Sequence, residues 1–302
     1  MKSKLDFIVI GAQKSGTTTL FELLKQHPNI YLPVEKEAPF FGRADREEKG
    51  WDWYLKEFFH AADEQQLWGS ITPQYMSFPN VAEKIHAMNP NVKLIAILRN
   101  PYERAYSHFI MSKRRNYDTR EYLEAIQELI KEDKLEESRS YSTETNSYIV
   151  RGEYGRILSN YKRVFGTKNL LILFMSDLEK DAYKTLNSIC DFLQVSKFQP
   201  QGLGNKFHVG GSAQKNKLLT LMMSRIKSHD LYKSYLRKMI PFKFRRRLWL
   251  KIDQWNIKKE PEEAVSIIQH IDESMVLLKP IYNKDAQLFE REFLKSFPWY
   301  KR

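Results

Sequence analysis

Leu5-Asp6-Phe7-Ile8-Val9-Ile10, then Gly11-Ala12-Gln13-Lys14-Ser15-Gly16-Thr17-Thr18-Thr19, then Leu20-Phe21-Glu22-Leu23-Leu24-Lys25, is the stretch that decides the fold. Its first part is a short apolar run rich in Ile and Val, the composition of a strand buried on both faces of a parallel sheet. Its last part repeats apolar residues at helical spacing (Leu20, Phe21, Leu23, Leu24). Between them lies a Gly-bounded loop of small hydroxyl residues with a single lysine. A strand–loop–helix of this kind aims several backbone N–H groups at one point, and the helix N-terminus adds a partial positive charge. Phosphate is the natural guest.

The spacing approaches the pattern G-x-x-x-x-G-K-[ST]. Gly11 and Gly16 stand where its glycines belong, and Thr18 supplies the final hydroxyl. Thr17 follows Gly16, however, and the lysine has moved back to position 14. The plainer reading is an ordinary βα turn, but strand, Gly spacing, Lys and three hydroxyls would then coincide by accident.

Outward from this stretch, Gln66–Ile71 reads as a short strand ended by Thr72-Pro73, and Val92–Leu98 as a second strong one followed by Arg99-Asn100-Pro101. Pro101 suits the first position of a helix running through Tyr106, Ser107 and Phe109. Trp51–Phe59 and Val81–Met88 are predicted helical, residues 119–137 a charged surface helix, and Ser140–Ser147 a polar loop and candidate mobile flap. A helix over Tyr154–Phe165 ends at Gly166, a strand over 169–175 follows, and a helix over 178–193 packs back. Strand–helix alternation with short turns predicts an α/β protein, a three-layer αβα sandwich around a central parallel sheet. From about residue 202 a Gly-rich loop and basic helices are expected to wrap the same core, making residues 1–302 one domain.

The 302 residues, 42% hydrophobic and 13% aromatic, suffice for a real core. One cysteine, Cys190, excludes an internal disulfide and any Cys-based metal cluster, and its apolar neighbours suggest a packed residue. No run of about 18 apolar residues marks a membrane span. The first residues enter a strand without a signal-peptide core, so a cytoplasmic location is expected. The net charge of +12 is concentrated: residues 206–260 hold fifteen Lys/Arg against three Asp/Glu, and the remainder is neutral. That region is either a solvated basic face or the contact for an anionic surface.

A Mg-dependent nucleotidase of this type ends a later strand in an acidic residue that holds the metal. Here the strongest later strand ends in Arg99, and Asp177 is read more simply as a helix N-cap. An arginine at a strand's C-terminal edge, with the Ser107 hydroxyl two helical turns on, makes a second phosphate clamp, or else Arg99 is a structural ion pair. Two phosphate sites without a metal carboxylate fit a nucleotide with phosphates at both ends, such as a 3′,5′-bisphosphate.

Residues 8–24 (I-V-I-G-A-Q-K-S-G-T-T-T-L-F-E-L-L), 35–41 (E-K-E-A-P-F-F) and 94–109 (L-I-A-I-L-R-N-P-Y-E-R-A-Y-S-H-F) resemble the PAPS-dependent sulfotransferases, closest to the heparan-sulfate type and its bacterial relatives. Residues 151–166 and 170–178 look like the same family's later core. The resemblance implies the P-loop NTPase-like sulfotransferase fold. It implies that Lys14, Ser15, Gly16, Thr17, Thr18 and Thr19 bind the 5′-phosphosulfate of PAPS, and that Arg99 and Ser107 bind its 3′-phosphate. Lys217 falls in a segment that may correspond to a cofactor-closing loop. Glu37 matches the general base; Phe40 and Phe41 match an aromatic pair walling the pocket, and Lys36 orients substrate or faces solvent.

The departures are Pro39 where the family usually has His, Ile71 where it often has Lys, and Tyr161 for a common Trp. The first two positions help hold a sugar acceptor. The expected reaction is in-line transfer of a sulfuryl group from PAPS to an acceptor hydroxyl of a glycan or glycolipid, leaving adenosine 3′,5′-bisphosphate, with no metal and no nucleic-acid partner. Lys14 would neutralise the leaving phosphate, and Glu37, its pKa raised by partial burial beside Phe40, would take the proton. A Mg-dependent P-loop kinase and a non-catalytic binder of anionic polymers remain the alternatives. Glu37 also has a plain reading as a salt-bridged loop carboxylate. His27, His60, His86 and His108 read as structural.

Overall fold

The computed structural model describes residues 2–203 and 264–300. Lys217 and the basic stretch 206–260 lie outside the described residues. Strands β1 (Phe7–Gly11), β2 (Ile30–Tyr31), β3 (Leu67–Ile71), β4 (Lys93–Leu98) and β5 (Leu170–Phe174) form one parallel sheet, ordered β2-β3-β1-β4-β5. Val9 of β1 pairs with Ile71 on one side and Ile95 on the other. The decisive strand is therefore flanked on both sides, which explains its unbroken apolar run.

Side chains alternate across this sheet. Phe7, Val9, Ile95 and Ile97 face one layer, where they meet Leu20 and Leu24 of α1 (Thr17–Leu24). On the opposite face Ile8, Ile10, Leu94, Ala96 and Leu98 join an aromatic cluster. The helices α2 (Ala44–Glu47), α3 (Trp51–Phe58) and α4 (Val81–Met88) follow in the chain, and α3 and α4 supply Tyr54, Leu55 and Ile85 to that second layer. Each fully buried Ile, Leu or Phe contributes about 1.5–3 kcal/mol, so the sheet is stabilised from both sides. The three-layer αβα arrangement is as the sequence predicts.

The chain after β4 builds a lateral cluster. Helix α5 (Pro101–Arg114) starts with Pro101 at its first position and the Asn100 side chain accepting from the Tyr102 N–H at 3.1 Å. Helices α6 (Tyr122–Leu129) and α7 (Glu132–Ser140) pack with it through Phe109, Tyr122, Ile126 and Leu135. This replaces the single helix expected over 119–137: Lys131 adopts extended backbone, and the second helix starts there. Helix α8 (Tyr154–Phe165) ends at Gly166, as expected. The helix expected over 178–193 is two, α9 (Met175–Lys180) and α10 (Ala182–Leu193). Asp181 separates them and accepts from the Lys184 N–H at 2.9 Å, so Asp181, rather than Asp177, is the capping aspartate. Cys190 is fully buried on α10.

The long helix α11 (Ala264–Phe293) packs on α8 and α5 through Leu278, Tyr282 and Phe289. Its Asp285 carboxylate accepts from the backbone N–H of Gly155 and Arg156, 2.7 and 2.8 Å, capping α8. Only glycine permits this approach at position 155, because a Cβ there would lie 2.2 Å from the Asp285 carbonyl oxygen. Phe297 and Trp299 meet Phe174 and Tyr154 edge to face. Among the described residues no helix is long and apolar enough to cross a membrane.

Candidate active site

The loops that leave β1 and β4 meet at the carboxyl edge of the sheet, where open α/β sheets bind ligands. The first is anchored at its root by the Ala12 N–H donating to Ile97 of β4 at 2.8 Å. Lys14 (φ 69°) and Gly16 (φ 87°) both occupy left-handed backbone. For Gly16 that costs little; for Lys14 it is strain of the kind found where a loop is held to a function. Ser15 is fully buried, and its N–H turns inward to the Ala12 carbonyl at 3.3 Å, so it shapes the loop. Thr17 is buried, and Thr18 and Thr19 are half-buried in the first turn of α1. Those first-turn N–H groups are the donors an α-helix leaves without an intrahelical partner.

Positive charge gathers at this turn. The Lys14 ammonium is pushed down to about 8 by burial and by the charges of Arg114, Arg115 and Arg99, with Glu37 pulling the other way. It stays protonated at neutral pH, but with little resistance from solvent. Arg99 donates from Nη1 to the Lys14 carbonyl at 3.5 Å, and from Nε to Glu103 Oε2 at 2.9 Å. The structural ion pair and the approach to the first turn are thus both present. Ser107, half-buried on α5, lies one helical turn beyond Glu103, which pairs with Arg99.

The second lip of the cleft is the loop 35–41. Glu37 is exposed, its side chain 44% accessible. Oε1 accepts from Lys36 at 2.8 Å and Oε2 from Gln74 at 2.9 Å. Burial alone would raise its pKa; the charge and hydrogen bond of Lys36, the Gln74 hydrogen bond and the charge of Arg115 outweigh it and hold the carboxyl below its ordinary value. This corrects the expected upward shift. Lys36 also reaches Thr17 Oγ1 at 3.5 Å, which joins the two lips.

Phe40 and Phe41 are packed in the core, 7% and 6% exposed, rather than walling a pocket. Phe40 meets Trp51 edge-on and Tyr54 at a tilt, Phe41 meets Tyr75 at a tilt, and both their N–H groups donate to the Tyr75 hydroxyl, at 2.6 and 3.2 Å. Their apolar bodies hold the loop from behind.

Behind the first turn lies a polar network. Arg151, 4% exposed, donates to Gln13 Oε1 at 2.6 Å, Ser142 Oγ at 3.1 Å, the Thr143 carbonyl at 3.2 Å and Glu144 Oε1 at 3.4 Å. Glu144 Oε2 in turn accepts from fully buried His108 Nε2 at 3.2 Å. The segment 140–147, expected as a mobile flap, is tied to the loop after β1 by these bonds. His108 is structural, as expected, but it is a member of this network.

Sequence reading missed Gln74, Arg114, Arg115, Gln13 and Arg151 as neighbours of the site. Gln13 sits within the quoted motif and Arg114 and Arg115 end the helix that carries Ser107, so proximity in sequence was a usable signal for these three. Gln74 and Arg151 arrive from remote segments, and nothing in their local pattern marks them.

A parallel α/β sheet with a glycine-bounded turn after its first strand and a cationic cluster facing a carboxylate defines a P-loop-like architecture. The sulfotransferase domain model matches residues 4–206, and the chain belongs to that family. It is similar to the membrane-associated sulfotransferase kil1 of Dictyostelium discoideum (39% identical over 109 residues, 35% of this chain and 23% of that protein). It is also similar to heparan sulfate glucosamine 3-O-sulfotransferase 5 of Mus musculus (35% over 102 residues, 34% of this chain and 29% of that protein). The chain thus spans about a quarter of the length of these relatives. Among solved structures, a sulfotransferase from Alicyclobacillus acidocaldarius shares the fold, with a TM-score of 0.55 at 24% identity over 68% of this chain and 87% of that one. The family match removes the ground for the kinase alternative.

Proposed function

We propose that this protein transfers a sulfuryl group from PAPS to a hydroxyl of a carbohydrate acceptor. The observation that carries the reading is the meeting, at one sheet edge, of the strained Lys14 turn, the Arg99 guanidinium on its carbonyl, and the carboxylate of Glu37 across the cleft. The name of the 3-O-sulfotransferase relative supports a glycan acceptor.

The residues fit such a donor. Gly16 to Thr19 present N–H groups and a helix N-terminus to the 5′-phosphosulfate, Lys14 supplies the mobile proton-bearing cation, and Arg99 with Ser107 takes the 3′-phosphate, Glu103 sharing the guanidinium. The donor supplies an activated sulfuryl group. The S–O bond to the phosphate breaks, a new S–O bond forms to the acceptor oxygen, and adenosine 3′,5′-bisphosphate leaves with the bridging oxygen. Lys14 offsets the charge that develops there. Glu37, a carboxylate kept ionised by Lys36 and Gln74, takes the proton from the acceptor hydroxyl.

Two measurements test this. Adenosine 3′,5′-bisphosphate at 100 times its Kd is expected to stabilise the protein by about 2.7 kcal/mol, and ATP with Mg is not; the reverse result would dismiss the donor site. With labelled PAPS and a desulfated heparan oligosaccharide, Glu37→Gln is expected to abolish transfer while keeping bisphosphate binding. Retained transfer removes Glu37 as the base.

A further inference from the structure

We infer that Gln74 is the positioning residue that aims the Glu37 carboxylate across the cleft. The catalytic consequence rests on the reading just proposed; the contact itself does not.

Glu37 sits on an exposed loop, and its other partner, Lys36, is the adjacent residue on that same loop. Lys36 therefore moves with Glu37, and its tie across the cleft is a 3.5 Å contact to Thr17 Oγ1, at the limit of a hydrogen bond, so by itself it cannot hold the carboxylate firmly against the sheet. Gln74 can. It belongs to the 3-10 turn Pro73–Met76, which follows β3 directly and whose other three residues are buried. Its neighbour Tyr75 grips the same loop a few residues on, through the N–H groups of Phe40 and Phe41. The Tyr75 carbonyl in turn accepts from the Tyr161 hydroxyl of α8 at 2.6 Å. One rigid turn thus holds the loop twice, by its backbone through Tyr75 and by its carboxylate through Gln74.

The orientation of the amide is fixed by chemistry. A carboxylate only accepts, so the NH2 end of Gln74 must face Glu37 Oε2. The other end, Oε1, is buried without a hydrogen-bond partner. A satisfied carbonyl is given up and the donor stays on the carboxylate. Positions 39 and 71 hold Pro and Ile, neither of which has a side-chain donor. Gln74 is thus the neutral donor on Glu37, beside the charges of Lys36 and Arg115 and the ammonium of Lys14 that also senses it. A neutral donor holds the anion in place without the full attraction of an ion pair, which would make Glu37 a poorer base.

The test compares the wild type with Gln74→Met, which keeps length but cannot donate, and Gln74→Glu, which sets a second carboxylate against the first. The readout is the titration of the Glu37 carboxyl by carbon-13 NMR in glutamate-labelled protein, assigned by the signal missing in Glu37→Gln. Gln74→Met is expected to move that titration up by about half a pH unit or more, and Gln74→Glu further. The acid limb of the pH–rate profile with the desulfated oligosaccharide is expected to follow, with kcat reduced about tenfold or more and bisphosphate binding unchanged. An unmoved Glu37 titration in both variants overturns the inference. If the titration moves but Glu37→Gln remains active, the positioning contact stands and the base assignment fails.

Discussion

The two lips of the cleft are built in opposite ways. The lip proposed to hold the donor, residues 12–19, is made of backbone: a buried strand root, two left-handed residues and a helix N-terminus, with Ser15 and Thr17 buried. The lip proposed to face the acceptor, residues 35–41, is made of side chains. Glu37 is presented outward, Lys36 reaches across to Thr17, Phe40 and Phe41 are buried behind them, and the whole is braced by Gln74 and Tyr75 from a remote turn. A site made from backbone needs a fixed local arrangement of glycine, small residues and strand. A site made from side chains can draw each part from anywhere the fold brings near.

That difference explains what could be read in advance. The alternation of strands and helices, the central place of the first strand and the glycine-bounded turn after it are all local patterns, and each stands where the sequence puts it. The aromatic pair at 40 and 41 was legible as important but not as buried, because nothing local tells a pocket wall from a core residue. The pKa of Glu37 was expected to move the wrong way because the pull of the adjacent Lys36, the largest downward one, was set below burial, and because Gln74 and Arg115, which add to it, lie 37 and 78 positions away. The break at residues 130–131 was missed for another reason. The run Glu128-Leu129-Ile130-Lys131-Glu132 contains no Gly or Pro, and the change of direction is imposed by packing of Leu129 and Leu135 in the lateral cluster.

The sharpest way to break the comparison is at Lys14. If the donor lip acts through that cation, Lys14→Ala lowers kcat by about 10²–10³-fold, the loss typical of a removed transition-state donor. Initial rates with labelled PAPS would measure it. Bisphosphate affinity should fall as well, because the same ammonium faces the product phosphate. A variant that loses affinity with kcat intact would make Lys14 a binding residue alone, and the two lips would then divide binding and chemistry between them.

Arg151 tests whether the donor lip is self-sufficient. Its guanidinium links Gln13 to residues 142–144 from a buried position, so Arg151→Met removes one side of a network and leaves Glu144 without its cation. Breaking one partner of a buried pair costs about 3–5 kcal/mol; Glu144 keeps partial solvent contact, so the lower end is expected. Chemical denaturation reads the stability, and calorimetry with adenosine 3′,5′-bisphosphate reads the turn. A stability loss with unchanged affinity would show that the turn keeps its shape without the network and is set by its own backbone.

The last effect expected is a pH dependence that separates the lips by size and pH window, with one sign throughout. Burial, with Arg151 and Arg104 nearby, holds the His108 imidazole down to about 3 against the pull of Glu144. Glu144 is itself held down to about 2: burial alone would raise it, but His108 and Arg151 prevail. An unfolded histidine titrates near 6.5 and an unfolded glutamate near 4.3. Below about 6.5, therefore, the unfolded chain takes up a proton that folded His108 refuses, and stability falls as pH drops toward the folded value. Glu144 adds its share only below about 4.5, in the same direction, as its folded-state advantage is lost on the way to about 2. Glu37 is also held low, but it is exposed and its contribution is screened by solvent. Melting temperatures between pH 7 and 4 should decline in the wild type and flatten above about pH 4.5 in His108→Asn. An equal slope in that variant would move the acid sensitivity out of the network behind the donor turn, and the contrast between a buried, proton-refusing lip and a solvated one would not hold.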